Sequence, residues 1–273
     1  MKQEISNMKA INILGFGTMG MQLAAFFNVI GYKVTVWNRT FSDTKLKRLS
    51  IEKKILEKNL KCVPEKHDIV FLDQINLLPP ALTIEVLAED LAIKQNVLHD
   101  LPFDPKTHGL FTNSSSFTPT EIHNEAHSLH FFNPLHSVKL VETTCPLNSL
   151  PLFRDIEDAG LTVVHTKMNR GYIANYVLFQ EIAASIMLIE KFGYDTKTID
   201  LVLGSLGRQS SVFDVIDFVG VDVTKKILEN LHETDHSVIV PPVLNVALES
   251  GILGRKNKTS IRSVLDNYQH PGA

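Results

Sequence analysis

The chain has 273 residues, of which 44% are hydrophobic and 21% charged, and a formal net charge of -3. Composition of this kind is globular, and the length allows a sizeable core and two domains. It excludes a strongly basic nucleic-acid binder, a disulfide scaffold, since the only cysteines are Cys62 and Cys145, and a span made of about 18 consecutive apolar residues. The two cysteines form no zinc-ligand spacing, and MKQEISNMKAINILGFG lacks the unbroken apolar stretch of a signal peptide. A reducing, cytoplasmic setting is expected, with no membrane and no nucleic-acid partner.

The first element is AINIL (10–14), a short apolar run read as a strand. GFGTMG follows: Gly15, Phe16, Gly17, Thr18, Met19, Gly20. MQLAAFFNVI then reads as an apolar helix ending at Gly31, and YKVTVW as a second strand. A G-x-G-x-x-G loop between strand and helix, inside one βαβ unit, is the dinucleotide-binding arrangement. Gly15 permits the tight turn, Gly17 lets backbone approach a pyrophosphate, and Gly20 lets the helix pack close to the strand. The helix N-terminus then faces the anion. The second strand ends in Asn38, Arg39 and Thr40. An acidic residue there would accept from the ribose 2′-hydroxyl of NAD, whereas uncharged Asn38 beside Arg39 suits the 2′-phosphate of NADP. NAD or NADP is the expected cofactor, leaning towards NADP; the plainer reading has Arg39 stacked on the adenine without discrimination. The basic run Lys45–Lys61, interleaved with Glu52 and Glu57, reads as a solvated helix face.

HDIVFL (67–72) reads as a further strand, 84–101 as a helix after Pro79-Pro80, and GLFTNSSS (109–116) as strand then loop. Alternation of this kind predicts an α/β fold with a parallel, doubly wound Rossmann-type sheet. Ligands bind such sheets at the carboxyl ends of strands, which is where Asn113, Ser114, Ser115 and Ser116 fall. His123, His127 and His130 have a spacing that could hold a metal, but Asn124 stands where a zinc-protease helix needs Glu. No metal is expected, and His123 and His127 are read as surface residues on a short helix. From Gly171 onward the pattern is helical throughout, with Asp195 as a cap. The expected domains are 1–166, binding the dinucleotide, and 167–273, wholly helical. Asn175 lies in the first turns of the long helix after Gly171.

HFFNPLHSVKLVE (130–142) is a mostly apolar segment with polar ends. Strand, turn and strand would bring His130 back against Glu142, and a histidine so partnered is a competent general base. The plainer alternative is a buried pair that only satisfies itself.

GFGTMG, EDLAIK (89–94), NSSSF (113–117), HFFNPLHSVKLVE, GYIAN (171–175) and FDVIDFVGVD (213–222) occur in an order that resembles the L-3-hydroxyacyl-CoA dehydrogenase family over most of the chain. The resemblance implies hydride transfer between a nicotinamide and C3 of a 3-hydroxyacyl-CoA substrate (3-hydroxybutyryl-CoA-like), in a homodimer. It makes His130 the general base with Glu142 its partner, sets Ser115 and Asn175 on the substrate oxygen, and puts Glu89, Lys94, Ser115 and Asn133 on the cofactor. The chain departs from the family pattern at Asn38, in the short 41–66 connection where the family has a CoA-binding helical hairpin, at Met168-Asn169-Arg170, at Tyr176, at Ser210-Ser211-Val212 and in its tail. Two alternatives compete. One is an NADP-dependent 3-hydroxyisobutyrate-like dehydrogenase acting on a free acid, although GYIANYVLFQ lacks that group's lysine. The other is a non-catalytic dinucleotide sensor.

Overall fold

The computed structural model describes residues 9–60, 67–167 and 171–268; Cys62, the 168–170 substitutions and the last tail residues lie outside them. The chain divides into two compact units, Met1–Asn169 and Arg170–Ala273.

The first unit is built on an eight-stranded sheet of order β3-β2-β1-β4-β5-β6-β7-β8. Its strands are β1 (Ala10–Leu14), β2 (Lys33–Trp37), β3 (Val70–Leu72), β4 (Leu82–Glu85), β5 (Leu110–Thr112), β6 (Ala126–Phe131), β7 (Leu140–Thr143) and β8 (Thr162–His165). β3 through β6 pair in parallel. β7 turns back antiparallel on β6, and β8 pairs in parallel with β7. Side chains alternate across a strand. Ile11 and Ile13 therefore enter one apolar cluster with Phe26, Phe27 and Phe131, while Leu14 joins Trp37, Leu98 and Leu110 on the opposite face. A sheet covered on both faces is the setting that parallel strands require.

Helix Thr18–Val29 is buried from Gly20 to Val29. Asn28 satisfies its amide inside this apolar segment by donating to the His67 carbonyl at 2.8 Å. Helix Asp43–Asn59, capped by Ser42, turns Leu49 and Leu56 inward. Among its basic residues, Lys47, Arg48, Lys54 and Lys58 are exposed, the solvated face expected of it.

Two sequence expectations fail here. The helix expected over 84–101 begins only at Leu91, because Leu82–Glu85 is strand β4, paired with both β1 and β5. Asp90 caps the helix through the Ile93 N–H. His127 lies in β6 rather than on the short helix, which is Pro119–Ile122.

The second unit is helical. Tyr172–Phe192 contributes Phe179, Ile182, Ala183, Ile186 and Ile189 to a core shared with Ile199, Phe213, Ile216, Leu228, Leu231 and Leu244. By length and composition that helix could cross a membrane, yet this stripe is packed against neighbouring helices. Asp195 caps helix Thr196–Ser205 as expected. Two further helices, Val212–Val219 and Val221–Thr234, are divided at Gly220 (φ 107°).

Candidate active site

The glycine loop comes first because three glycines there have three different surroundings. Gly15 has φ 112°, and a Cβ on it would lie 2.6 Å from the Val86 carbonyl oxygen. A Cβ on Gly20 would lie 2.2 Å from the Gly15 carbonyl oxygen, so helix and loop touch backbone to backbone. A Cβ on Gly17 would meet nothing within 4 Å. Gly15 and Gly20 thus shape the turn, and Gly17 leaves open space at the helix N-terminus, where the free N–H groups and the helix dipole favour an anion.

That space continues into a cavity of about 530 Å³. Gly15 to Met19 form one wall, Trp37, Asn38 and Arg39 another, and Val86 to Ala88 with Ile93 and Val97 a third. These surroundings fit the phosphate and adenosine portions of a dinucleotide. Asn38 is committed at both ends of its amide: Oδ1 accepts from the Phe16 N–H at 3.2 Å, and Nδ2 donates to the Thr40 carbonyl. Arg39 and Thr40 are exposed.

Beyond the cavity, a charged network ties together the carboxyl ends of β4 and β5. Lys94 is 1% exposed, and its Nζ donates to Glu85 Oε1 at 2.7 Å and lies 3.1 Å from Glu89 Oε2. Glu85, fully buried, also accepts from the Leu87 N–H at 2.6 Å and from the Thr112 hydroxyl at 2.6 Å. Glu89 accepts from the Ser114 hydroxyl and from the Ser116 N–H. Burial pushes the Glu89 carboxyl up, but the Lys94 charge and the donors around it outweigh that and hold it below its ordinary value. Ser114 is buried in this loop, whereas its neighbour Ser115 is half-buried. Lys94 lies between its carboxylates, so of the two expected cofactor-side residues Glu89 is the more exposed.

β6 and β7 bring His130 and Glu142 into direct cross-strand register. His130 Nδ1 lies 3.7 Å from Glu142 Oε2, an ion-pair distance, and both side chains are nearly buried. The Phe132 ring meets the imidazole edge-on with centroids 4.4 Å apart. Asn113 holds the neighbouring backbone, its Oδ1 accepting from the Phe131 N–H at 2.7 Å. Asn133 is exposed on the loop that follows. In the helical unit, Asn175 is half-buried in the first turn of its helix, after Gly171 (φ 78°), and Tyr176 donates to Asp235.

The structure therefore gathers the glycine loop with Asn38 and Arg39, Glu89 with Lys94, Ser114 and Thr112, and His130 with Glu142. Sequence reasoning missed Glu85 and Thr112; the available signal for Glu85 was a carboxylate within the apolar strand LTIE. Among the described residues no cluster of three metal-ligating side chains occurs.

The family model of the 3-hydroxyacyl-CoA dehydrogenase NAD-binding domain matches residues 10–146, and that of the 3-hydroxyacyl-CoA dehydrogenase C-terminal domain matches residues 171–263. Mouse mitochondrial hydroxyacyl-coenzyme A dehydrogenase is 27% identical, covering 91% of this chain and 88% of that protein. The 3-hydroxybutyryl-CoA dehydrogenase of Mycobacterium tuberculosis is 27% identical over 90% of this chain and 95% of its own. The fold matches the crystal structure of (S)-3-hydroxybutyryl-CoA dehydrogenase from Ralstonia eutropha with a TM-score of 0.78 and 20% identity, covering 93% and 98% of the two chains.

The Glu89 network generates a pH prediction. A carboxyl depressed on folding adds stability that is complete above its unfolded pKa of about 4.3 and is lost as pH falls through the lower folded value. Glu89→Gln should lower the melting temperature at pH 7 and flatten the acid limb below about pH 4. Melting curves from pH 2 to 8 check this; an acid limb as steep as wild type would remove Glu89 from the network.

Proposed function

The chain belongs to the 3-hydroxyacyl-CoA dehydrogenase family, and from that membership we propose that it exchanges hydride between a nicotinamide dinucleotide and C3 of a 3-hydroxyacyl thioester. The observation that carries the reading is the buried imidazole of His130 facing Glu142 at 3.7 Å, on the strand that ends beside the β4–β5 network. With Nδ1 turned to the carboxylate, we assign Nε2 the proton exchange with the substrate. In oxidation Nε2 accepts the hydroxyl proton, and in reduction it returns that proton to the oxygen. Glu142 fixes the tautomer and steadies the charged imidazole. The Ser115 hydroxyl donates to the substrate oxygen as charge develops there. Glu89, Lys94, Asn113 and Asn133 shape the dinucleotide side of the site. When bound, the nicotinamide supplies the hydride donor or acceptor.

Cofactor choice follows from the end of β2. Asn38 offers no charge to a 2′-hydroxyl, and both ends of its amide are engaged. Exposed Arg39 lies at the cavity wall and favours a 2′-phosphate. We read the site as one that takes NAD or NADP, leaning towards NADP. A free 3-hydroxy acid is the second reading for the substrate, favoured because helix Asp43–Asn59 is the single helix described between β2 and β3.

The helical unit supports a homodimer. Ile173, Val177, Leu188 and Phe192 lie at helical spacing on one side of helix Tyr172–Phe192 and are 40–68% exposed. Leu201 and Leu206 are exposed at 71% and 78% on or beside the next helix. An apolar surface of this extent fits a second copy of the same chain.

Three outcomes are expected. Purified protein should turn over acetoacetyl-CoA, and His130→Gln should cut turnover about 10²–10⁴-fold while dinucleotide affinity is kept; unchanged turnover removes His130 from proton transfer, and activity confined to free 3-oxo acids selects the second reading. Arg39→Ala should lower kcat/KM with NADPH about 10–100-fold and leave NADH nearly untouched; equal losses would mean the guanidinium does not discriminate. Light scattering should report the mass of two chains, and Phe192→Glu with Leu206→Glu should give one; a wild-type monomer sinks the dimer.

A further inference from the structure

Gln22 is a polar residue in the most apolar helix of the first unit, between Met21 and the run Leu23–Phe27, and is 3% exposed. An amide buried there is costly unless both of its ends are used. Both are used, on one loop. Nε2 donates to Asn133 Oδ1 at 3.1 Å, and Oε1 accepts from the Leu135 N–H at 3.0 Å. Asn133 itself is exposed. Because its Oδ1 is occupied by Gln22, its NH2 group is the end left to face outward. The loop leaves the carboxyl end of β6, which runs parallel to β5, β4 and β1, so Asn133 sits on the edge where ligands of such sheets bind, three residues beyond His130. Gln22 belongs to the helix whose first turn carries the anion-accepting N–H groups. One rigid element therefore meets the phosphates at its tip and the His130 loop one turn further in.

We propose that Gln22 is a positioning residue that orients the Asn133 amide, turning its NH2 group outward as a hydrogen-bond donor to the nicotinamide half of the bound dinucleotide. This rests on the oxidoreductase reading above, because it requires the nicotinamide to lie beside His130. Substituting glutamate at position 22 keeps the acceptor for the Leu135 N–H but removes the donor to Asn133. The Asn133 amide then rotates to give its NH2 to the carboxylate and turns its oxygen outward. The donor seen by the ligand becomes an acceptor, with little change in volume.

The test is calorimetric titration of wild type, Gln22→Glu, Asn133→Ala and the double variant. The ligands are NADH and ADP-ribose, with NADPH and 2′-phospho-ADP-ribose in parallel. Each single variant should weaken the complete dinucleotide about 3–10-fold and leave the nicotinamide-free analogue unchanged, and the double variant should bind like Asn133→Ala alone. A loss shared equally by the analogue marks a merely structural role and overturns the proposal. So do additive losses in the double variant, or NADH and NADPH affinities untouched by Gln22→Glu. Should the glutamate variant fail to fold, Gln22→Met carries the same expectation, since it fills the volume without polar atoms. The two layers separate cleanly. Wild-type protein that binds no dinucleotide sinks the oxidoreductase reading and the role of Gln22 together, whereas wild-type binding and turnover with an indifferent Gln22→Glu sinks only the latter.

Discussion

An ammonium group with almost no water around it organises the first unit. Moving such an ion from water to a protein interior costs several kcal/mol even after relaxation, so Lys94 is tenable only between Glu85 and Glu89. Those partners come from the last residue of β4 and from the loop that follows it. Glu85 in turn takes the hydroxyl of Thr112 at the end of β5, and Glu89 takes Ser114 and Ser116 beyond it. The charge therefore does more than satisfy itself. It fixes the relative position of two strand ends and the serine loop that follows β5, at the edge where a parallel sheet binds ligands. Removing one member of such a set leaves an uncompensated buried charge, which is typically worth 3–5 kcal/mol.

The reversal at β7 completes the edge. A further parallel strand would have needed a long crossover, and the residue opposite His130 would then have come from a remote part of the chain. An antiparallel return needs only the loop 132–139 and pairs position 130 with position 142 directly. Cross-strand neighbours in such a pair lie about 4.5–5.5 Å apart at Cβ, close enough for imidazole and carboxylate to meet. The loop is held as well: Asn113 fixes the backbone at Phe131, and Gln22 fixes Asn133 and Leu135.

Much of this could be read from residues alone, and the failures have physical causes. The glycine loop was legible because its strand, helix and second strand follow in order, and Gly15 and Gly20 then prove to have steric reasons of their own. The His130–Glu142 pairing was legible because twelve residues with a turn between them allow one hairpin. Strand β4 was not legible, since Leu82–Glu85 runs into a helical pattern without a glycine to divide them. Only its pairing with β1 and β5 overrides the local preference. His127 was misplaced for a related reason, because four-residue spacing mimics a helix face while β6 pairs through the same residues. Glu85 and Gln22 carried little signal. A single polar residue in an apolar run reads as an interruption until its partners, distant in sequence, are known.

The division of labour across the sheet separates chemistry from selectivity. The His130–Glu142 pair and the serine loop depend on β4 to β7, whereas Asn38, Arg39 and helix Asp43–Asn59 hang on β2. Four strand spacings separate β2 from β6, about 19 Å. Effects at sites that far apart, with no shared partners, are close to additive. A chain can therefore exchange the charge at its ribose edge, or shorten the connection after β2, without disturbing the geometry that pairs His130 with Glu142. Function then resides in separable sites carried by one fold, and two departures of this sequence from the family pattern, Asn38 and the short connection after β2, lie on the β2 side, away from His130 and Glu142.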